Sequence, residues 1–201
     1  MPKNHVIISG TGRSGTTFLV QLFTELGLDT GFTSSDEQIN DNCNAGMEWD
    51  ILQPGAPYIA KSPWLCETIE DILQNSTIHI EHAIIPVRDL FAAAESRRFV
   101  SSKSAQGQTP NIVPGGVWDT KHPQEQEKVL SQKFYTLLFG LIKNDVPVTF
   151  LFFPKLVHQP VYLYSKLWFL LKDISYEIFI RAFKKVCQPE LVHEFHPKSE
   201  A

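Results

Sequence analysis

"HVIISGTGRSGTTFLVQLFTELG", His5 to Gly27, joins a short β-branched run to a helical pattern through a glycine-rich turn. The run His5–Ser9 reads as a buried strand, Thr16 to Leu26 as an amphipathic helix, and Gly27 as its stop. Between them, Gly10, Thr11, Gly12, Arg13, Ser14, Gly15, Thr16 and Thr17 are small apart from one cation. Small residues let backbone N–H groups turn inward and converge on one anion, and the positive end of the helix dipole points at the same place. The spacing of Gly10 and Gly15 fits a triphosphate-binding loop, yet Thr16 stands where the lysine of that loop is required. The cation sits three residues earlier, at Arg13.

Working outward, strand-like runs alternate with helical patterns. "DTGFT" reads as a short second strand, and "PYIAKS", "HAIIPV" and "VPVTFLFF" as three more. In "SPWLCETIEDILQN" Ser62 is placed to cap a helix with Pro63 in its first turn. "DLFAAAESRRFVSS" is alanine-rich helix. "PQEQEKVLSQKFYTLLFGLIKN" places Val129, Leu130, Phe134, Leu137, Leu138 and Leu141 at helical spacing. Runs that are apolar on both faces, "AIIPV" and "TFLFF", suit strands covered on both sides. The expected fold is therefore three-layer α/β/α around a central, mainly parallel sheet, and the glycine loop makes it resemble the phosphate-loop nucleotide hydrolases. Residues 34–57 and 106–121 are long irregular stretches of the kind that serve as functional loops, and residues 188–201 read as a surface tail.

With 201 residues, 43% apolar and 20% charged, the chain is expected to form one domain, 1–201. A formal charge of −4 lacks the basic face that a nucleic-acid partner requires. Cys43, Cys66 and Cys187 are odd in number and widely spaced, which fits a reducing, cytoplasmic setting better than a disulfide scaffold. "MPKNHVIISG" has too short an apolar run for a signal peptide, and "KLWFLLKD" is far too short for a bilayer span, so no membrane association is expected.

"GRSGTTFL" resembles the 5′-phosphosulfate loop of the sulfotransferases, a Lys or Arg followed by Ser-Gly-Thr-Thr. "IIPVRDLFAAAESRR" strengthens the likeness: Arg88 ends a strand and Ser96 follows eight residues later in the next helix, the family's pattern for gripping the 3′-phosphate of the donor. A guanidinium fork matches phosphate oxygens, and a hydroxyl from the helix adds to it. The resemblance implies 3′-phosphoadenosine 5′-phosphosulfate (PAPS) as donor, 3′-phosphoadenosine 5′-phosphate (PAP) as product, and a carbohydrate or small molecule as hydroxyl acceptor. It implies Gly12, Arg13, Ser14, Gly15, Thr16 and Thr17 around the 5′-phosphate, with Arg13 on the leaving-group side, and Arg88 and Ser96 at the 3′-phosphate. The family's late basic, glycine-rich segment has no match: "PGGVWDTKH" lacks its arginine, and Arg97, Arg98 and Lys103 are the available substitutes.

Sulfuryl transfer also needs a base to take the acceptor's proton. Glu37, in "SSDEQIN", stands near the family's position for such a group; Glu48, in "NAGMEWD", is the rival because Gly46 permits a sharp turn and Trp49 could shield it. His122 is a third option. Lys61, ending a strand in "YIAKSP", resembles a lysine near the family's active site. His79 and His82 read as structural. No cluster has metal-ligand spacing, so no metal is expected. Trp49, Trp64 and Trp118 could cover an acceptor or edge the core. Two other readings stand beside this one: a nucleotide kinase or hydrolase, opposed by Thr16 and by Asp89 falling at a helix start, and a nucleotide-binding module without turnover.

Overall fold

The computed structural model describes residues 2–40, 43–104, 115–193 and 195. Strand β1 (Lys3–Ile8) leads through the glycine loop into helix α1 (Thr16–Glu25). α1 ends as expected at Gly27, whose φ of 73° lets Leu28 N–H reach back to Phe23 O. "DTGFT" is not a strand. Asp29 instead clasps the chain at one point, its carbonyl accepting from Ile59 N–H and its carboxylate from Tyr58 N–H. With these bonds made by one residue, the neighbours have no ladder to join.

A two-stranded hairpin, β2 (Ile39–Asn40) and β3 (Ala45–Gly46), occupies part of the stretch expected to be irregular. Strand β4 (Ile59–Lys61) follows, then α2 (Leu65–Gln74). Ser62 does not cap α2. Its N–H donates to Ile8 O, so it still belongs to the β1–β4 ladder, and Trp64 takes the N-cap position. Next come β5 (Ile78–Val87), α3 (Leu90–Ser104), α4 (Gln126–Lys143) and β6 (Val148–Phe152). Four α-helices follow, α5 (Lys155–His158), α6 (Pro160–Lys166), α7 (Trp168–Leu171) and α8 (Tyr176–Val186), and then a 3-10 turn at Pro189–Leu191. Residues 105–114, which take in the first part of the second expected loop, and most of 194–201, within the expected tail, lie outside the described residues.

The main sheet is parallel throughout, in the order β4-β1-β5-β6. Alternation along its strands sorts the core into two layers. Val6, Ile8, Ile59, Ile84 and Leu151 face α1, α5, α6 and α8, where Leu19, Phe23, Leu156, Leu163 and Phe179 are fully buried. Ile7, Ala60, Ala83 and Ile85 face α2 and α4, against Leu65, Ile69, Leu137 and Leu141. This is the expected three-layer α/β/α arrangement. Each buried Leu, Ile or Phe contributes roughly 1.5–3 kcal/mol by leaving water. α2 and α4 approach so closely that a Cβ on Gly140 would lie 2.8 Å from Ile69 Cγ1.

The connection from β1 runs toward β4 over one face, whereas that from β5 runs toward β6 over the other. The carboxyl ends of β1 and β5 therefore diverge, and a crevice opens between the loops that follow them. The outer edge of β4 is closed by Trp49 N–H, which donates to Lys61 O, and by Asp29. Among the described residues no helix is long and apolar enough to cross a membrane.

Candidate functional site

Two loops border that crevice: the glycine loop after β1, and the start of α3 after β5. In the first, Gly12, Arg13 and Gly15 all have left-handed φ, at 69°, 56° and 87°. Such a conformation strains a residue bearing a Cβ by roughly 1–2 kcal/mol, so Arg13 is held there by its contacts. Gly15 is the N-cap of α1 and offers no side-chain acceptor, and the first turn contains no acidic residue. The leading N–H groups of α1 thus lack a side-chain partner at the crevice, which suits an anion.

Arg13 spans the site. Its Nε donates to Ser96 Oγ (3.1 Å) and its Nη1 to Cys43 O (2.5 Å). Arg88 Nη1 donates to Arg13 O at 2.9 Å, its Nη2 to His193 O, and its guanidinium lies 4.9 Å from the centre of the Phe153 ring. Arg97, one residue past Ser96 on α3, is 6% exposed. Its Nη2 donates to Thr11 O (2.7 Å), its Nη1 to Gly116 O (2.8 Å), and it stacks 5.2 Å from the Trp118 ring. None of these three guanidinium groups is paired with a carboxylate among the described residues.

Burial, followed by repulsion from Arg13, pushes Arg88 and Arg97 down to about 10. Both therefore remain charged at neutral pH. Burial lowers Arg13 too. Among the described residues these three like charges have only carbonyls, the Ser96 hydroxyl and aromatic faces as partners, which makes this end of the crevice electropositive. Among the described residues, buried Ser14 Oγ and Arg97 Nε have no hydrogen-bond partner.

On the opposite flank, Lys61 is 3% exposed and donates to Thr17 Oγ1 (2.9 Å) and Gly46 O (2.6 Å). Its Nζ lies 3.3 Å from Glu48 Oε1. Burial is the main influence and lowers the Lys61 ammonium, opposed by the Glu48 charge. Gly46 is required by the β2–β3 hairpin, because a Cβ there would lie 1.9 Å from Gln38 O.

The structure thus gathers Gly12, Arg13, Ser14, Gly15, Thr16, Thr17, Glu48, Lys61, Arg88 and Ser96 around one crevice. Glu37 is not among them. Its carboxylate accepts from Thr33 N–H and Thr33 Oγ1, and these bonds hold it below the usual carboxylate range. His122 is exposed beside Thr120. Asp89 uses Oδ1 to accept from Ala92 N–H at the start of α3. Of the basic substitutes, Arg98 is engaged by Glu95 and Glu127, and Lys103 lies over the Phe99 ring.

Trp118 is packed beneath Arg97 and Lys133, and Trp49 sits against Phe32 and Gly31; Trp64 is exposed. His79 is exposed on β5, whereas His82 stacks on Phe169 at 3.9 Å. Two concavities, of about 210 and 320 Å³, lie at the amino-terminal end of the sheet. The charge pattern, rather than cavity size, singles out the opposite end. Sequence reasoning missed the Cys43 and Gly46 carbonyls, which as main-chain atoms leave no compositional trace. Among the described residues no group of three His, Cys, Asp or Glu is arranged to hold a metal. No family model matches the chain, and neither a curated protein nor a solved structure shows significant similarity to it.

Proposed function

We propose that this chain is a sulfotransferase that moves a sulfuryl group from PAPS to a hydroxyl of a carbohydrate or small-molecule acceptor. The observation that carries the reading is the junction at Arg13. Its side chain bonds Ser96 and its carbonyl accepts from Arg88, so motifs about 80 residues apart in sequence meet at one crevice. Carboxylate-free guanidinium groups on both loops fit a ligand with phosphates at two ends of one nucleoside.

In this reading Arg13 and the loop amides neutralise the departing 5′-phosphate as the bond from sulfur to its oxygen breaks. The acceptor oxygen forms the new bond to sulfur, and its proton passes to Glu48. Arginine keeps its own proton, so its part is electrostatic. Lys61, fixed between Thr17 and Glu48, orients the carboxylate and adds positive charge on the sulfonate side. The separation of the cysteines suits a cytoplasmic setting, since Cys43, Cys66 and Cys187 are all free.

Calorimetry tests the donor. PAP should bind without magnesium, and Arg88→Ala should abolish that binding; a preference for magnesium–ATP would overturn the reading. Transfer of labelled sulfonate from PAPS to a panel of sugars and small alcohols then tests turnover. PAP binding without any transfer would assign a binding module instead.

A further inference from the structure

Of the basic residues in the second half of α3, Arg98 is engaged by Glu95 and Glu127 and Lys103 lies over the Phe99 ring. Arg97 differs from both. It is more than nine-tenths buried, has no carboxylate partner among the described residues, and its Nε has no hydrogen-bond acceptor. A buried guanidinium in that condition is destabilising unless a counter-charge is supplied. Its place is also specific: a Cβ on Gly12 would lie 2.6 Å from Arg97 Nη2, so the glycine loop is seated directly on this side chain.

A loop that binds an anion through its N–H groups must turn its carbonyls away, because a carbonyl oxygen facing the anion repels it. Arg97 holds the Thr11 carbonyl from the α3 side, as Arg88 holds the Arg13 carbonyl from the β5 side. Arg97 also bonds the Gly116 carbonyl, tying the segment before α4 to the same loop.

We propose that Arg97 is a positioning residue of the anion site, keeping the Thr11 carbonyl turned outward while adding a third positive charge for a ligand bearing more than one phosphate. The inference rests on the proposed function only in placing the anion at the glycine loop; it does not require adenosine or sulfur. The bound polyanion supplies the counter-charge that Arg13, Arg88 and Arg97 lack among themselves.

The test uses the full chain with two probes, inorganic pyrophosphate and PAP, and compares Arg97→Lys and Arg97→Gln with the unaltered protein. Both variants disturb the carbonyl bonds, but only Arg97→Gln loses the charge. The expected result is a loss of pyrophosphate affinity of at least about tenfold in Arg97→Gln and a smaller loss in Arg97→Lys. The dependence of affinity on salt should weaken in Arg97→Gln and persist in Arg97→Lys, a readout that a packing defect would not move. Thermal melts without ligand establish that each variant is folded. Losses that follow the melting temperatures rather than the charge, or Arg97→Gln binding within twofold of the unaltered protein, would overturn the role of Arg97. If neither variant folds, the stability of the unaltered chain decides: a melting temperature that fails to rise with pyrophosphate overturns the proposal, and a rise steeper than with monovalent anions supports it. Binding of pyrophosphate without PAP would leave this inference standing and remove the donor proposed above; binding of neither would overturn both.

Discussion

The Lys61 ammonium lies 3.3 Å from the Glu48 carboxylate and 2.9 Å from the Thr17 hydroxyl, joining three chain segments at one point of the crevice. Glu48→Gln keeps the shape of this contact and removes the carboxylate that takes the acceptor's proton in the proposed reaction. Sulfonate transfer should fall by roughly 10²–10⁴-fold with PAP affinity nearly unchanged. Glu37→Gln is the comparison, since its carboxylate is tied into a turn with Thr33. Equal losses in both variants, measured as initial rates, would remove Glu48 from the role.

Ser96→Ala deletes the oxygen that accepts from Arg13 Nε. The expected cost is about tenfold in PAP affinity, or about 1.4 kcal/mol. Arg13→Lys should cost at least as much although it keeps the charge, because a compact ammonium cannot reach Ser96 and Cys43 in the directions that the guanidinium fork does. Titration of both variants with PAP checks the order.

Acid should destabilise the protein before its carboxylates titrate. His5 is fully buried, with Nδ1 bonded to Pro57 O and Nε2 unpartnered, and burial lowers it below its ordinary 6.5; burial lowers His82 as well. Below that value the unfolded chain takes up protons that the folded chain refuses, so stability is full above about 6.5 and falls as pH drops toward the folded values. Urea unfolding between pH 7.5 and 5.5 should show the decline, and a His5→Gln, His82→Gln double variant should flatten it. An unchanged slope would refute the assignment.

Gly140 marks where α4 meets α2. Its replacement by alanine would gain roughly 1 kcal/mol of helix propensity but push a methyl into Ile69, and overpacking typically costs about 1–3 kcal/mol. The net change should be destabilising and larger for Gly140→Val, as measured by denaturant midpoint.

Much of this was legible in the sequence where one residue type had one physical use. The run from His5 to Gly27 announced strand, turn and helix because β-branched, glycine and amphipathic patterns each followed a separate period. β4, β5 and β6 were likewise found. "DTGFT" misled because its composition suits a strand while its hydrogen bonds depend on Tyr58 and Ile59, far along the chain. The helices after β6 were poorly marked: α5 and α7 have four residues each, too few to show a helical period, and prolines at 154 and 160 divide the region. α8 did carry a signal, with Phe179, Ala182, Phe183 and Val186 on one face. Motif spacing marked Arg13, Arg88 and Ser96, and its place at a strand end marked Lys61; the structure brings the four to one crevice. That Glu48 lies beside Lys61 while Glu37 lies apart was not legible, because it depends on which loop folds back over β4.

That fold-back has a further consequence. Trp49 N–H is bonded to Lys61 O, so Glu48 and Lys61 are held in place by main-chain registry across the sheet edge as well as by their own attraction. Little side-chain entropy remains to be lost when they act together, and their separation is inherited from the backbone. A shift of one residue in this pairing would send Lys61 to the opposite face of the sheet, away from Thr17. The stability of β4 and the geometry of the crevice are therefore a single property of the molecule, and mutations that loosen the edge will displace Lys61 from Thr17 and Glu48 as well as weaken the fold.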